Sequence, residues 1–282
     1  MDVDAPANAL GEYLQARRAL VAPERVGLPS GTRRRVPGLR REEVALLAGI
    51  SADYYVRLER GRDDNPSAQV LEAIARVLQL DDVETAWLHD LAAPKPRVRR
   101  RARPAEQVPA RLHHLLAALE VPAFVEGRYF DVLASNRAAV SLSPRLAPGH
   151  NRLRSLLLDP EERLFHRDWE TAVESFVGVA RQTLGQDASD PRAVELVGEL
   201  SLASARFRTL WARHDVRPLR GGTAMIDHPR VGPLDLHREK LPVDGLVLVI
   251  YYPDEHGDSA DRLRLLAAWD GSTPESALGS RD

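Results

Sequence analysis

Arginine side chains dominate the first third of this chain, and their chemistry is that of anion recognition. Eight arginines lie between residues 17 and 41, where Glu24 is the single acidic residue. A second basic run, PKPRVRRRARP at residues 94–104, contains no acidic residue. Guanidinium groups bind phosphates and base edges through planar, paired hydrogen bonds. Either run can instead be a solvated surface, and for residues 94–104 taken alone we favour that interpretation.

The net charge of the whole chain hides this asymmetry. At −2 it argues against a nucleic-acid partner, but the part of the chain from residue 104 onward carries the balancing acidic residues. The positive potential therefore belongs to the first third, which is where we expect an anionic partner to bind.

The segment RREEVALLAGISADYYVRLERG, residues 40–61, has the side chains expected of two short helices joined by a tight turn. Ala45 permits a close helix crossing, Gly49 suits a left-handed residue at the end of the first helix, and Ser51 caps the second. Tyr55 and Leu58 give the second helix an apolar face toward the first. A helix-turn-helix motif places that second helix in the major groove of DNA. An ordinary buried helix pair has the same spacing, and the neighbouring arginines favour the DNA-binding interpretation.

The predicted DNA contacts are the side chains that this motif leaves outward, together with nearby arginines and helix starts. We expect residues 33–35 to reach phosphates or a minor groove, and Arg41 to read a guanine. The full set is Arg33, Arg34, Arg35, Arg40, Arg41, Ser51, Ala52, Asp53, Tyr54, Arg57, Arg60 and Ser67.

The elements that must position these residues follow from hydrophobic periodicity. Helices are predicted over residues 10–20, 40–48, 51–60, 67–78 and 82–92, and form an all-α N-terminal domain over residues 1–93. Residues 94–107 break the pattern with prolines and like charges, which predicts an extended linker. A second domain over residues 108–270 precedes a tail at 271–282.

The second domain alternates between strand and helix patterns. Two short strands lie within residues 122–136, with a turn at 126–127. Helical patterns begin at residue 137 and cover residues 169–184 and 191–210. Strands follow at 220–227, 231–238 and 246–252, and a last helix covers 259–269. This order predicts an α+β fold with an antiparallel sheet.

The sequence resembles bacterial XRE-type regulators, and within them the MmyB-like group. The resemblance rests on residues 17–62 and 66–80 in the first domain, and on PAFVEGRYFDVLASNRAA, DWETAV, ELSLASARFRTLWARHDV and HPRVGPLDL in the second. It implies a PAS-like C-terminal sensor domain, homodimerisation, a double-stranded DNA operator, and a small ligand that is fatty-acid-like in some members. Arg40 and Arg41 depart from the wider XRE pattern, which often has a Ser or Thr cap followed by a Gln, so a different operator is expected.

A small, largely apolar ligand is predicted for the second domain. Its aromatic residues would line a cavity, and a few polar residues would anchor the ligand. The predicted contacts are Asn136, Trp169, Phe176, Arg206, Phe207, Trp211 and His214. Each aromatic residue taken alone is more often core, and Asn136 is as readily a helix cap. In the alternative interpretation this domain serves only dimerisation or protein docking.

Enzymatic function is the rival class, and the sequence lacks its usual motifs. There is no cysteine, no HExxH pair, no GxSxG, no GxGxxG and no P-loop. A metal pair of His214 and His228 is conceivable, but structural histidines are commoner. We predict no enzyme activity, no cofactor and no metal. No secretion signal or membrane span is apparent, which predicts a cytoplasmic protein without a membrane partner.

Overall fold

The computed structural model describes residues 8–29, 36, 38–63, 65–93, 106–185 and 190–271. Their contacts form two compact units. The first is built from described parts of residues 1–102 and 174–218, and the second from described parts of 103–173 and 219–282.

The helices and strands follow one another along the chain in three segments. The first contains α1 (Ala9–Leu20), α2 (Arg41–Ala48), α3 (Ala52–Glu59), α4 (Ala68–Val77) and α5 (Asp82–Ala92). The second contains α6 (Ala110–Ala118), β1 (Ala123–Glu126), β2 (Val132–Ser135), α7 (Arg137–Leu142), α8 (Arg152–Leu158) and α9 (Pro160–Phe165). The third contains α10 (Trp169–Leu184), α11 (Pro191–Ala203), α12 (Ala205–Ala212), β3 (Gly222–His228), β4 (Gly232–Val243), β5 (Leu246–Tyr252) and α13 (Asp258–Gly271). Short 3-10 helices lie at Pro23–Val26 and Pro144–Leu146.

Helices α1 to α5 enclose the core of the first unit. Tyr13, Leu14, Tyr55, Leu58 and Ile74 are fully buried there, and they recur at the three- and four-residue spacing of amphipathic helices. The five predicted helices are confirmed, with ends that differ by at most one residue.

The segment of residues 174–218 packs with these N-terminal helices. Val216 lies in the same apolar core, the rings of Tyr13 and His214 are 6.5 Å apart, and Arg17 Nη1 lies 2.5 Å from Asp215 Oδ1. In the sequence analysis this segment belonged to the second domain. The predicted boundaries at residues 93 and 108 stay a prediction. Sequence order places residues 174–218 in the second domain, whereas their contacts place them in the first unit.

The single helix predicted for residues 191–210 is wrong. The chain breaks at Ser204, which has an extended backbone, and resumes as α12. Ser204 Oγ accepts a hydrogen bond from Phe207 N at 3.1 Å, so the serine caps a new helix instead of continuing the old one.

A five-stranded antiparallel sheet forms the centre of the second unit, in the order β2-β1-β5-β4-β3. One face buries Phe124, Leu236 and Val249 in an apolar cluster, and the other packs Val125 and Leu248 in a cluster with α6. The predicted α+β fold, a helical N-terminal region followed by a PAS-like domain, is confirmed. Strand β4 extends five residues beyond the prediction because residues 239–243 pair with β5.

Candidate DNA-binding and ligand-binding sites

The turn between α2 and α3 has the geometry that its residue types predict. Gly49 ends α2 with φ of 68°, a left-handed conformation that a glycine adopts without a steric cost. Ser51 Oγ then accepts a hydrogen bond from Tyr54 N at 3.1 Å and caps α3. Tyr55 and Leu58 are fully buried against the core, so the opposite side of α3 faces outward.

We call the outward side chains of α3 and its C-terminal neighbour the recognition surface: Ala52, Asp53, Tyr54, Arg57 and Arg60. All are exposed except Tyr54, which is half-buried. The Arg57 guanidinium lies 5.3 Å from the Tyr54 ring centroid, and its Nε is 3.8 Å from Asp63 Oδ2. Burial, reinforced by the Asp63 charge, raises the pKa of Tyr54, so its hydroxyl remains protonated and able to donate.

A buried carboxylate beneath this surface was not predicted from the sequence. Glu59 accepts from Arg18 Nε at 2.7 Å and from Arg41 Nε at 2.5 Å, and its side chain is 2% exposed. It therefore joins α1, α2 and α3 through one charged group. The sequence offers one indication of this role: Glu59 follows Tyr55 by four residues, which places both side chains on the inward side of α3.

This ion pair bears on Arg41, the residue predicted to read guanine. Its side chain is 41% exposed, and its Nε is held by Glu59. The hydrogen bond and charge of Glu59 raise the pKa of Arg41. Contact between Arg41 and a base stays a prediction. In such a contact the Arg41 guanidinium would use its remaining N–H groups, because Glu59 already holds its Nε.

The other predicted DNA contacts lie at helix starts or outside the described residues. Arg40 is exposed at the N-terminus of α2, where its backbone N–H donates to Glu43 Oε2 at 2.7 Å. Ser67 is exposed and caps α4 by accepting from Val70 N at 3.3 Å. Residues 33–35, where three of the arginines were predicted to contact DNA, lie outside the described residues.

Helix α1 approaches α3 closely because residue 11 has no side chain. A Cβ atom built on Gly11 would lie 2.1 Å from Glu59 O, well inside van der Waals contact. Asn8 holds the same junction, since its Nδ2 donates to Glu59 O at 2.7 Å and its Oδ1 accepts from Gly11 N. The C-terminal end of α3 is thus fixed by backbone contact as well as by charge.

The second unit contains a cavity of about 900 Å³, which we call the sensor cavity. It lies among α6, α7, α13 and the chain that follows β5. Its walls are mainly apolar, with Leu116, Leu119, Pro122, Leu263 and Leu266 among them. Ligand pockets in proteins span ~300–1,000 Å³, so this volume suits a small organic molecule.

The structure does not gather the seven predicted ligand contacts around one cavity. Asn136 borders the sensor cavity, but its side chain caps α7 by accepting from Ala139 N and Ala123 N and donates to Leu119 O and Val121 O. All four of these hydrogen bonds are made within the protein.

Of the remaining predicted contacts, some pack or pair within the protein, and two line a second cavity. Trp169 Nε1 donates to Leu156 O at 2.8 Å, and Arg206 pairs with Glu174 at 2.7 Å. Phe207 is fully buried and stacks on Trp211 with ring centroids 5.2 Å apart. Phe176 is half-buried. Trp211 and His214 both line a smaller cavity of about 370 Å³ within the first unit.

Within the described ranges, no three His, Asp or Glu side chains are grouped to hold a metal ion. His228 is buried in β3, where its Nδ1 accepts from Arg230 N at 3.2 Å. Of the helices described, none has the length and apolar character needed to cross a bilayer.

Comparison with protein families finds two matches that together cover most of the chain. A family model described as the MmyB-like transcription regulator ligand binding domain matches residues 108–266. A helix-turn-helix domain model matches residues 9–88, which include α1 to α4 and most of α5. A search of curated proteins finds no match.

Proposed function

Because this chain belongs to the family of MmyB-like transcription regulators, we propose that it acts as a homodimer on a pseudo-palindromic operator and responds to a small, largely apolar ligand. A DNA-binding regulator with a ligand-binding domain is what its family implies. The homodimer, the symmetry of the operator and the apolar nature of the ligand are the parts that we propose beyond this. We place this action in the cytoplasm, where chromosomal DNA is accessible.

The recognition surface is the observation that carries the DNA-binding part of the proposal. Arg57 and Asp53 are exposed on a helix whose other side is locked into the core by Tyr55 and Leu58. An arginine can donate two hydrogen bonds to guanine, and an aspartate can accept one from cytosine, so the pair can distinguish base pairs in the major groove. Glu59 and Gly11 hold this helix rigidly, which base recognition requires.

A dimer follows from the small size of this surface. One eight-residue helix reads too few base pairs to select a genomic site, and two copies related by a twofold axis read two half-sites. The half-site centres would lie roughly one helical turn, ~34–36 Å, or a multiple of it apart. Selection of binding sequences followed by footprinting should give paired protection. A single protected half-site, with monomeric protein in solution, would contradict the proposal.

The sensor cavity supports the ligand part of the proposal. Its apolar walls and its volume of about 900 Å³ suit a molecule held mainly by desolvation. Mass spectrometry of denatured protein should reveal a copurifying molecule, and adding such a molecule back should raise the melting temperature. Replacing Leu263 by Trp should fill the cavity and abolish that increase, whereas replacing exposed Leu265 by Trp on the same helix should not.

Any ligand effect on DNA must be reciprocal. A ligand shifts DNA affinity only by its differential affinity for the two conformations, so operator DNA should change ligand affinity by the same factor. If no ligand copurifies and no medium-chain acid raises the melting temperature, the second unit is better interpreted as a dimerisation or docking module.

A further inference from the structure

The smaller cavity of the first unit combines apolar walls with a buried cation. It lies where α1 and α5 meet α10, α11 and α12, and it has a volume of about 370 Å³. Trp87 and Leu91 come from α5, Val197 comes from α11, and Trp211 comes from α12. None of these residues except Trp211 was predicted to contact a ligand. We call this space the arginine cavity.

Arg181 is the cation in question, and it is 9% exposed. Its Nη2 donates to the carbonyl oxygen of Trp211, and its guanidinium carbon lies 3.7 Å from the Trp211 ring centroid. Its Nε is buried and lacks a hydrogen-bond partner within the described part of the protein. No carboxylate of the described residues lies within ion-pair distance of this guanidinium, whereas the half-buried Arg17 and Arg18 of the same unit each have one.

A buried cation without a counter-ion is unfavourable. Removing a charged group from water raises the free energy of the folded protein unless an opposite charge and further hydrogen bonds compensate. Burial accordingly lowers the pKa of Arg181 to about 10, and the charges of Glu12 and Asp215 only partly oppose the shift. The arginine cavity therefore has the electrostatics of an anion site.

The other polar groups of the cavity fit the same ligand class. Burial, assisted by the charges of Arg181 and Arg17, lowers the pKa of His214 to about 4, so this histidine is a neutral hydrogen-bonding group near pH 7. Glu12 also borders the cavity, but it is exposed and its charge is screened by water. Asp215 is already paired with Arg17.

We propose that the arginine cavity binds a small carboxylic acid with a flat apolar body, whose carboxylate pairs with Arg181. Guanidinium and carboxylate groups match in a two-bond geometry, and Nε is one of the donors that such a pair uses. The mainly apolar walls, which include side chains of Trp87, Leu91, Val197 and Trp211, suit an apolar ring. The volume is at the small end of ligand pockets, which favours one or two rings over a long chain.

This site is separate from the sensor cavity, and its ligand would join the helix-turn-helix core to the segment of residues 174–218. Helix α1 contributes Glu12 to the cavity, Tyr13 to the core, and Arg18 to the Glu59 ion pair. Its occupant would therefore stabilise the helix on which α3 packs.

The test is titration calorimetry of the full-length protein with benzoate, phenylacetate, 1-naphthoate, octanoate and the neutral analogue 1-naphthamide. We expect an aromatic acid to bind about 10- to 100-fold more tightly than its neutral analogue, the range for a hydrogen bond to a charged group. Arg181→Met should abolish this preference. Because a hydrophobic residue of similar volume often replaces a buried charge without loss of stability, the variant should fold.

Two further variants separate binding from folding. Val197→Trp should fill the cavity and prevent binding while Arg181 is retained. Arg206→Met removes a half-buried arginine that is paired with Glu174 and does not line the cavity, and this variant should bind like the wild type. If no acid binds, if octanoate binds best, or if Arg181→Met keeps the preference for the acid, the proposal is overturned. Operator binding without added acid, measured on the same proteins, tests the proposed function independently.

Discussion

Replacement of Glu59 by Gln should destabilise the first unit strongly while keeping the shape of the side chain. The substitution removes the negative charge that pairs with both Arg18 and Arg41 beneath the recognition surface. Arg18 is 11% exposed and cannot regain water, whereas Arg41 is 41% exposed and can. Breaking a buried ion pair from one side costs ~3–5 kcal/mol, and we expect the lower end because one partner is rehydrated.

The matched control is Arg41→Gln, which leaves the Glu59–Arg18 pair intact. A partly exposed pair contributes at most about 1 kcal/mol, so this variant should lose far less stability. For a unit of this size, 1 kcal/mol corresponds to a shift of ~2–4 °C in melting temperature. The melting temperature of the first unit, measured by scanning calorimetry, should therefore fall by roughly 6–12 °C for Glu59→Gln and by under about 4 °C for Arg41→Gln. Equal shifts for the two variants would refute the assignment of Glu59 as the buried centre of this network.

Three other perturbations test the remaining parts of the structure. Arg57→Ala should weaken binding to the selected operator by ~10- to 100-fold, measured by fluorescence anisotropy, with a change in unfolding free energy within about 0.5 kcal/mol. His214 has a pKa lowered to about 4 in the folded state, against an ordinary value near 6.5. Its contribution to stability is therefore complete above about pH 6.5 and is lost as the pH falls toward 4. His214→Asn should reduce the difference in unfolding free energy between pH 7 and pH 5, measured in urea, and an unchanged difference would contradict the assignment. Lys240→Met should leave the Glu126 carboxylate, 2% exposed and 3.8 Å from Lys240 Nζ, without that ammonium group. A loss of ~3–5 kcal/mol is expected in thermal unfolding, with partial recovery when Glu126→Leu is added, and no such recovery would argue against the pair.

Local features of this fold were readable from the sequence because they depend on neighbouring residues. The helices of the first unit follow from periodicity, and the caps Ser51 and Ser67 follow from residue type and position. The turn at Gly49 requires only a residue that tolerates positive φ. The break at Ser204 was missed because periodicity continues through it, and only the cap to Phe207 distinguishes two helices from one.

Contacts between residues that are far apart in the sequence could not be predicted from local patterns. The Arg18–Glu59 pair spans 41 positions, and no pattern along the chain indicates which arginine meets which acid. The cavity beside Arg181 combines residues from five helices. Aromatic content predicted a ligand cavity in general, but the distribution of Trp169, Phe207 and Trp211 between packing and cavity walls depends on tertiary contacts.

The first unit is discontinuous in sequence, and this has a consequence for its synthesis. Residues 9–92 are synthesised well before residues 174–218, so α1 to α5 emerge from the ribosome without the segment that later packs on Tyr13 and Trp87. Until then, one apolar side of the DNA-binding core is open to water or to other chains. A fragment that ends at residue 93 would retain that open side permanently, and should self-associate more than the full-length chain. The packed form of the first unit, which includes the helix-turn-helix, is therefore completed only after more than half of the chain has been made.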